Sequence, residues 1–109
     1  MYRQGDILIV KVNEMPSGLT PVEKDQGRDI LAYGEVTGHA HAVLDSDQSS
    51  LFVDLSSSDV DEMRLRYLQI EQDTAIVHEE HDSIPLGPGL YKVIRQVEYQ
   101  PEGYTYVAD

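Results

Sequence analysis

Leu90-Tyr91-Lys92-Val93-Ile94-Arg95-Gln96-Val97-Glu98-Tyr99-Gln100 is the longest strand-like run in the chain, closed by Pro101 and Gly103. Its second half alternates, with Arg95, Val97 and Tyr99 on one face and Gln96 and Glu98 on the other, as a β-strand with one polar side requires. The stretch before it, Pro85-Leu86-Gly87-Pro88-Gly89, is the strongest turn signal of the sequence. The same grammar of short β-branched runs between turn residues recurs back to Asp6-Ile7-Leu8-Ile9-Val10-Lys11-Val12. Between them, strands are expected over 28–33, 35–44 and 51–55. A hairpin is expected from 66–72 and 74–79, turning at Gln72-Asp73. Tyr104 to Val107 adds a further edge strand. Lys24-Asp25-Gln26-Gly27 and Asp45 to Ser50 read as turns, Gly38 as a bulge, and Ser56 to Glu62 as a solvated loop. No helical stripe is sustained. The expectation is an all-β fold of about eight short strands, either a small closed barrel or a two-sheet sandwich.

With 109 residues the chain is one domain, spanning 1–109. A hydrophobic fraction of 40% and a charged fraction of 26% are ordinary for a soluble domain. The absence of cysteine excludes disulfides and thiolate metal sites and fits a reducing, cytoplasmic location. Eight basic residues against twenty acidic ones give a net charge of −12. That balance argues against nucleic acid, whose phosphates must be met by Lys and Arg, and against anionic membranes. No signal peptide and no membrane-spanning apolar run are read. Seven tyrosines stand in for the usual core aromatics, since Phe52 is alone and Trp is absent. Arg64 and Arg66 form the one small basic cluster and are expected on an exposed strand. Short edge strands leave a homodimer open.

The four histidines fall in two pairs, His39-Ala40-His41 and His78-Glu79-Glu80-His81. Residues two apart on a strand share a face about 7 Å apart, so His39 and His41 can converge on one cation. His78 and His81 can chelate if the backbone bends between them, and antiparallel pairing of the two segments would bring all four rings together. Glu79 and Glu80 can supply an oxygen ligand, an acceptor for an imidazole N–H, or a general base. The expected ligands are therefore His39, His41, His78 and His81, with Glu79 and Glu80 as catalytic candidates. The cofactor would be a divalent transition metal: Zn, Ni, Cu, Fe or Mn. Clustered imidazoles beside carboxylates also suit a pH switch.

Known metalloenzyme patterns are approached without being met. Gly34, His39, His41 and Asp45 give a cupin-like flavour, but the glycine spacing is one short and the acid is Asp. Glu35, His39, His41 and Ser49 follow the JAMM metalloprotease pattern until Phe52 replaces its aspartate. His78-Glu79-Glu80-His81 is one residue too short for the zincin motif.

Gln4-Gly5-Asp6-Ile7-Leu8, Gly34-Glu35-Val36-Thr37-Gly38-His39-Ala40-His41, Val77-His78-Glu79-Glu80-His81 and Pro88-Gly89-Leu90-Tyr91-Lys92-Val93-Ile94-Arg95-Gln96-Val97-Glu98-Tyr99 occur in that order. Together they resemble an uncharacterised family of small bacterial and phage-borne proteins of about this chain's length. Where this chain has Leu86-Gly87-Pro88-Gly89, members run closer to L-P-P-G. The resemblance implies a self-contained domain organised around these motifs and brings no activity or substrate with it. Two functional expectations follow from the residues. One is a metal-binding protein with a histidine-rich site, acting as a metal-dependent hydrolase or oxygenase if catalytic. The other is a non-enzymatic acidic interaction module whose histidines are structural.

Overall fold

The structure is a computed structural model. It describes residues 1–34, 38–100 and 103–106, with backbone alone at 97–100 and 103–106. In chain order the strands are β1 (Tyr2–Gln4), β2 (Ile7–Val12), β3 (Thr20–Pro21), β4 (Ile30–Tyr33), β5 (Ala40–Val43), β6 (Ser49–Val53), β7 (Arg66–Ile70), β8 (Thr74–Val77), β9 (Ile84–Leu86), β10 (Gly89–Arg95), β11 (Val97–Gln100) and β12 (Gly103–Tyr106). Short 3-10 turns at Ser46–Gln48, Leu55–Ser57 and Asp61–Met63 are the helical elements among the described residues. No helix there is long and apolar enough to cross a membrane.

Every strand pair is antiparallel. One sheet runs β1-β2-β10-β7-β6-β3 and the second β4-β5-β8-β9, while β11 and β12 form a ribbon. Both sheets are open, so of the two expected architectures the fold is the sandwich. Its core takes Ile7, Ile9, Leu51, Leu68, Ile70, Tyr91 and Val93 from the larger sheet. The smaller sheet contributes Leu31, Val43, Ile76, Ile84 and Leu86. Period-two alternation places these residues on the inner faces. The smaller sheet's edge strand β9 carries Pro85, and β3 at the end of the larger sheet is two residues long and carries Pro21. Both prolines blunt an unpaired edge.

Several local expectations change. The segments 66–72 and 74–79 do not pair as a hairpin: β7 lies between β10 and β6, whereas β8 lies between β5 and β9. The link between them carries the chain from one sheet to the other, which buries an inner face of each. Pro85 belongs to β9, opposite Ala75, and not to a turn. Its missing N–H costs nothing on an outer edge. The long last strand is interrupted at Gln96, whose N–H bonds Asp6 O at 2.8 Å. Gly38 (φ +87°) lies in a turn before β5 and not in a bulge, and the irregularity of this ladder is the register shift between Ile30 and Ala32. Residues 35–37 of the expected 35–44 strand, and Val107, lie outside the described residues. The polar 56–62 segment contains 3-10 turns, the first capped by Asp54, which accepts the Ser56 N–H at 3.0 Å.

Two tight turns prepare the site. Gly5 (φ +58°) lies in the turn between β1 and β2, which brings Gln4 and Asp6 close together in space. Asp25 and Arg28 bridge across Gln26 (φ +53°) and Gly27 (φ +80°). Positive φ at both central residues marks a mirror-image two-residue turn.

Candidate functional site

The ladder between β5 and β8 decides how the histidines meet. Its register pairs Ala42 with Val77 and Val43 with Ile76. One step further along the same register, His41 stands opposite His78. Directly opposed side chains on a sheet approach within about 5 Å, and the two ring centroids are 4.4 Å apart. His39 meets His78 edge-on at 5.6 Å, and His81 lies 4.7 Å from His78 and 6.2 Å from His41. The bend after β8 returns His81 toward His78. All four histidines thus form one cluster centred on His78.

They are not equivalent. His41 is fully buried, and both its ring nitrogens are engaged. Nδ1 lies 2.8 Å from Gln4 Oε1, and Nε2 lies 3.1 Å from Asp6 Oδ1. The Gln4 amide group donates to Ile76 O at 3.0 Å and Asp82 O at 2.9 Å, so its oxygen is the atom left to face His41. Asp6 Oδ2 accepts from Arg95 Nε at 2.6 Å, and Arg95 Nη2 reaches Tyr33 O at 2.9 Å. Both His41 nitrogens are therefore taken up by protein oxygens, and neither is open to a cation. Burial pushes the Asp6 carboxyl up. The hydrogen bonds from His41 and Arg95, with the charge of Arg95, outweigh it and leave the carboxyl below the usual aspartate value.

The other members are arranged differently. His39, His78 and Glu79 each present one ligand atom, all within 4.8 Å of one another. His39 Nδ1 and His81 Nε2 are buried and make no hydrogen bond among the described residues, with Glu80 Oε1 3.7 Å from His39 Nδ1. Glu79 Oε2 accepts the Ala40 N–H at 3.0 Å and lies 4.0 Å from His78 Nε2. The Ala40 amide, followed by Glu79's own, holds that carboxyl below its ordinary value, so it stays anionic. His78 Nδ1 accepts the Glu80 N–H at 3.0 Å.

The described side chains test the fit of a metal. Bonds of about 2.0–2.1 Å in a tetrahedral site place ligand atoms roughly 3.4 Å apart. The three atoms would thus draw together by up to about 1.4 Å. Two imidazoles and an anionic carboxylate are the donor types that transition metals take, and a carboxylate has lone pairs for the Ala40 amide and a cation together. The Glu80 amide must yield in either case. A cation at His78 Nδ1 displaces it directly, and one at Nε2 moves the ring hydrogen to Nδ1, where it meets the amide N–H.

The family model of a domain of unknown function, DUF8820, matches residues 3–96. The chain belongs to this family. No curated protein and no solved structure matches it. The DUF8820 region contains the whole cluster and its supports, from Gln4 to Arg95. Of the residues singled out from sequence, the structure gathers all four histidines with Glu79 and Glu80, and it also bonds His41 to Gln4 and Asp6. In the sequence Gln4 and Asp6 read as part of a strand head and not as site residues. The signal for them was present, since an aspartate and a glutamine around a glycine at the head of a core strand are candidates for inward-facing partners.

Proposed function

We propose that the chain binds a divalent transition metal through His39, His78 and Glu79, with His81 as a further donor beside His78. The observation behind this reading is the convergence of three ligand atoms, from the segments just before β5 and just after β8, within 4.8 Å. His41 serves as a structural residue that anchors the ring of His78 from behind. Zinc, nickel, copper, iron and manganese all suit an imidazole–carboxylate set. Such an ion, when bound, supplies Lewis acidity and lowers the pKa of bound water. Glu80, exposed and 3.7 Å from His39 Nδ1, would be the base beside such an ion.

Metal analysis of untagged protein tests this. Near-stoichiometric metal is expected, or a melting temperature raised by added Zn²⁺ or Ni²⁺. Saturation at about a hundred times Kd stabilises by roughly 2.7 kcal/mol. His39→Ala and Glu79→Gln should abolish that rise while leaving the metal-free melting temperature within about 2 °C, because both side chains are partly exposed. Metal-free protein whose melting temperature ignores both ions would overturn the proposal.

A further inference from the structure

A second candidate site lies in the sandwich where the strands bearing Ile7, Val53, Arg66 and Val93 approach β4. A cavity of about 480 Å³ opens there, within the range of roughly 300–1,000 Å³ typical of small-molecule sites. Part of its wall is apolar, formed by Ile7, Val22, Leu31, Val53 and Val93. Three of the chain's five arginines, Arg64, Arg66 and Arg95, also line it. The ladder explains why this is unusual. Arg66 is in register with Val53 on one side and Val93 on the other. Both valines are buried core residues, so Arg66 belongs to the inward-facing row of the sheet. Arg95, two residues beyond Val93, shares that face. Cations are not placed on the inner face of a sheet by core packing.

The two outer arginines are undersupplied with acceptors. A guanidinium has five N–H donors. Arg64 donates to Ser58 O at 2.8 Å and Asp61 Oδ1 at 3.4 Å. Arg66 donates to Asp61 O at 3.2 Å, Arg64 O at 3.1 Å and Asp61 Oδ2 at 3.4 Å. Among the described residues one carboxylate, at the long limit of a hydrogen bond, thus serves both cations. Its side chain is 68% exposed, against 24% for Arg64 and 17% for Arg66. The other acids of the lining, Glu23, Asp25 and Glu62, are exposed as well. Solvent screens exposed charges far more than half-buried ones, so these acids offset the guanidiniums less than their number suggests.

We infer that this cavity binds a small amphiphile with an apolar body and an anionic head, the body against the valine and isoleucine walls and the head on Arg64 and Arg66. Asp61 is the group the incoming anion displaces. Arg95 closes the inner end, with its Asp6 bond intact.

Calorimetry and methyl NMR on protein kept in chelator, with octanoate, octanol and octylammonium as probes, test the inference apart from the metal reading. Octanoate should bind most tightly, and the methyl signals of Ile7, Val53 and Val93 should move. Arg64→Gln/Arg66→Gln should weaken octanoate about ten- to a hundredfold, the loss expected for charge-assisted hydrogen bonds, and leave octanol unchanged. If that variant does not fold, the wild-type ranking of the probes and the map of shifted methyls still decide. Octylammonium binding as tightly as octanoate, no octanoate binding at millimolar concentration, or shifts confined to other faces would each overturn it.

Discussion

Asp6 shows how one residue holds two distant parts of the molecule. It follows the β1–β2 turn, is fully buried, and takes His41 on one oxygen and Arg95 on the other. Removing one partner from such a buried network leaves the others uncompensated, which costs about 3–5 kcal/mol. Asp6→Asn keeps the shape and removes the charge, so it should lose stability of that order at neutral pH. The pH dependence has a definite sign. The folded carboxyl lies below its ordinary value of 3.8, so its contribution is present above that pH and is lost as pH falls through the folded value. Denaturant melts of wild type and Asp6→Asn should therefore differ most near neutrality and converge below about pH 4. A gap that stays constant into acid would show that Asp6 acts through packing alone.

At the scale of elements, turns and strand ends carry most of what can be tuned. Gln26 sits at φ +53° in the two-residue turn before β4, on the exposed side of the molecule. Non-glycine residues seldom adopt that conformation, and asparagine adopts it several-fold more readily than most. Gln26→Asn creates an Asn-Gly pair, the preferred sequence of such a turn, and should raise stability by about 0.5–1 kcal/mol, read as a higher urea midpoint at unchanged slope. A lowered midpoint would show that the side chain of Gln26 matters more than its backbone. The strands themselves were legible wherever alternation was clean, as in β2 and in most of β10. The histidine pairs were legible as ligand chemistry. The pairing of β7 and β8 was not, because a short polar link reads the same whether it turns a hairpin or crosses between sheets. The division of labour among the histidines was equally hidden: it depends on Gln4 and Asp6, whose approach to His41 is set by tertiary packing. Arg66 was read as exposed because alternation tells which residues share a face but not which face is inside.

On the scale of the whole molecule, the two sheets have one core between them. Leu68, fully buried in β7, and Ile76, fully buried in β8, lie in different sheets yet in the same apolar cluster. Neither sheet can keep its inner face dry without the other, so they should unfold together. This bears on both candidate sites, since the cavity is bounded by strands of both sheets and the histidine cluster is tied to the larger sheet through Gln4, Asp6 and Arg95. Leu68→Ala leaves a cavity in that common core and should cost about 2–5 kcal/mol. It should lower the transition seen by far-ultraviolet dichroism, which reports all strands, and the one seen by histidine proton resonances, which report the smaller sheet, by the same amount. Coincident transitions mark a single cooperative unit. If the histidine resonances of Leu68→Ala kept the wild-type midpoint while the dichroism fell, the smaller sheet would be stable by itself, and the shared core would not be what holds the site together.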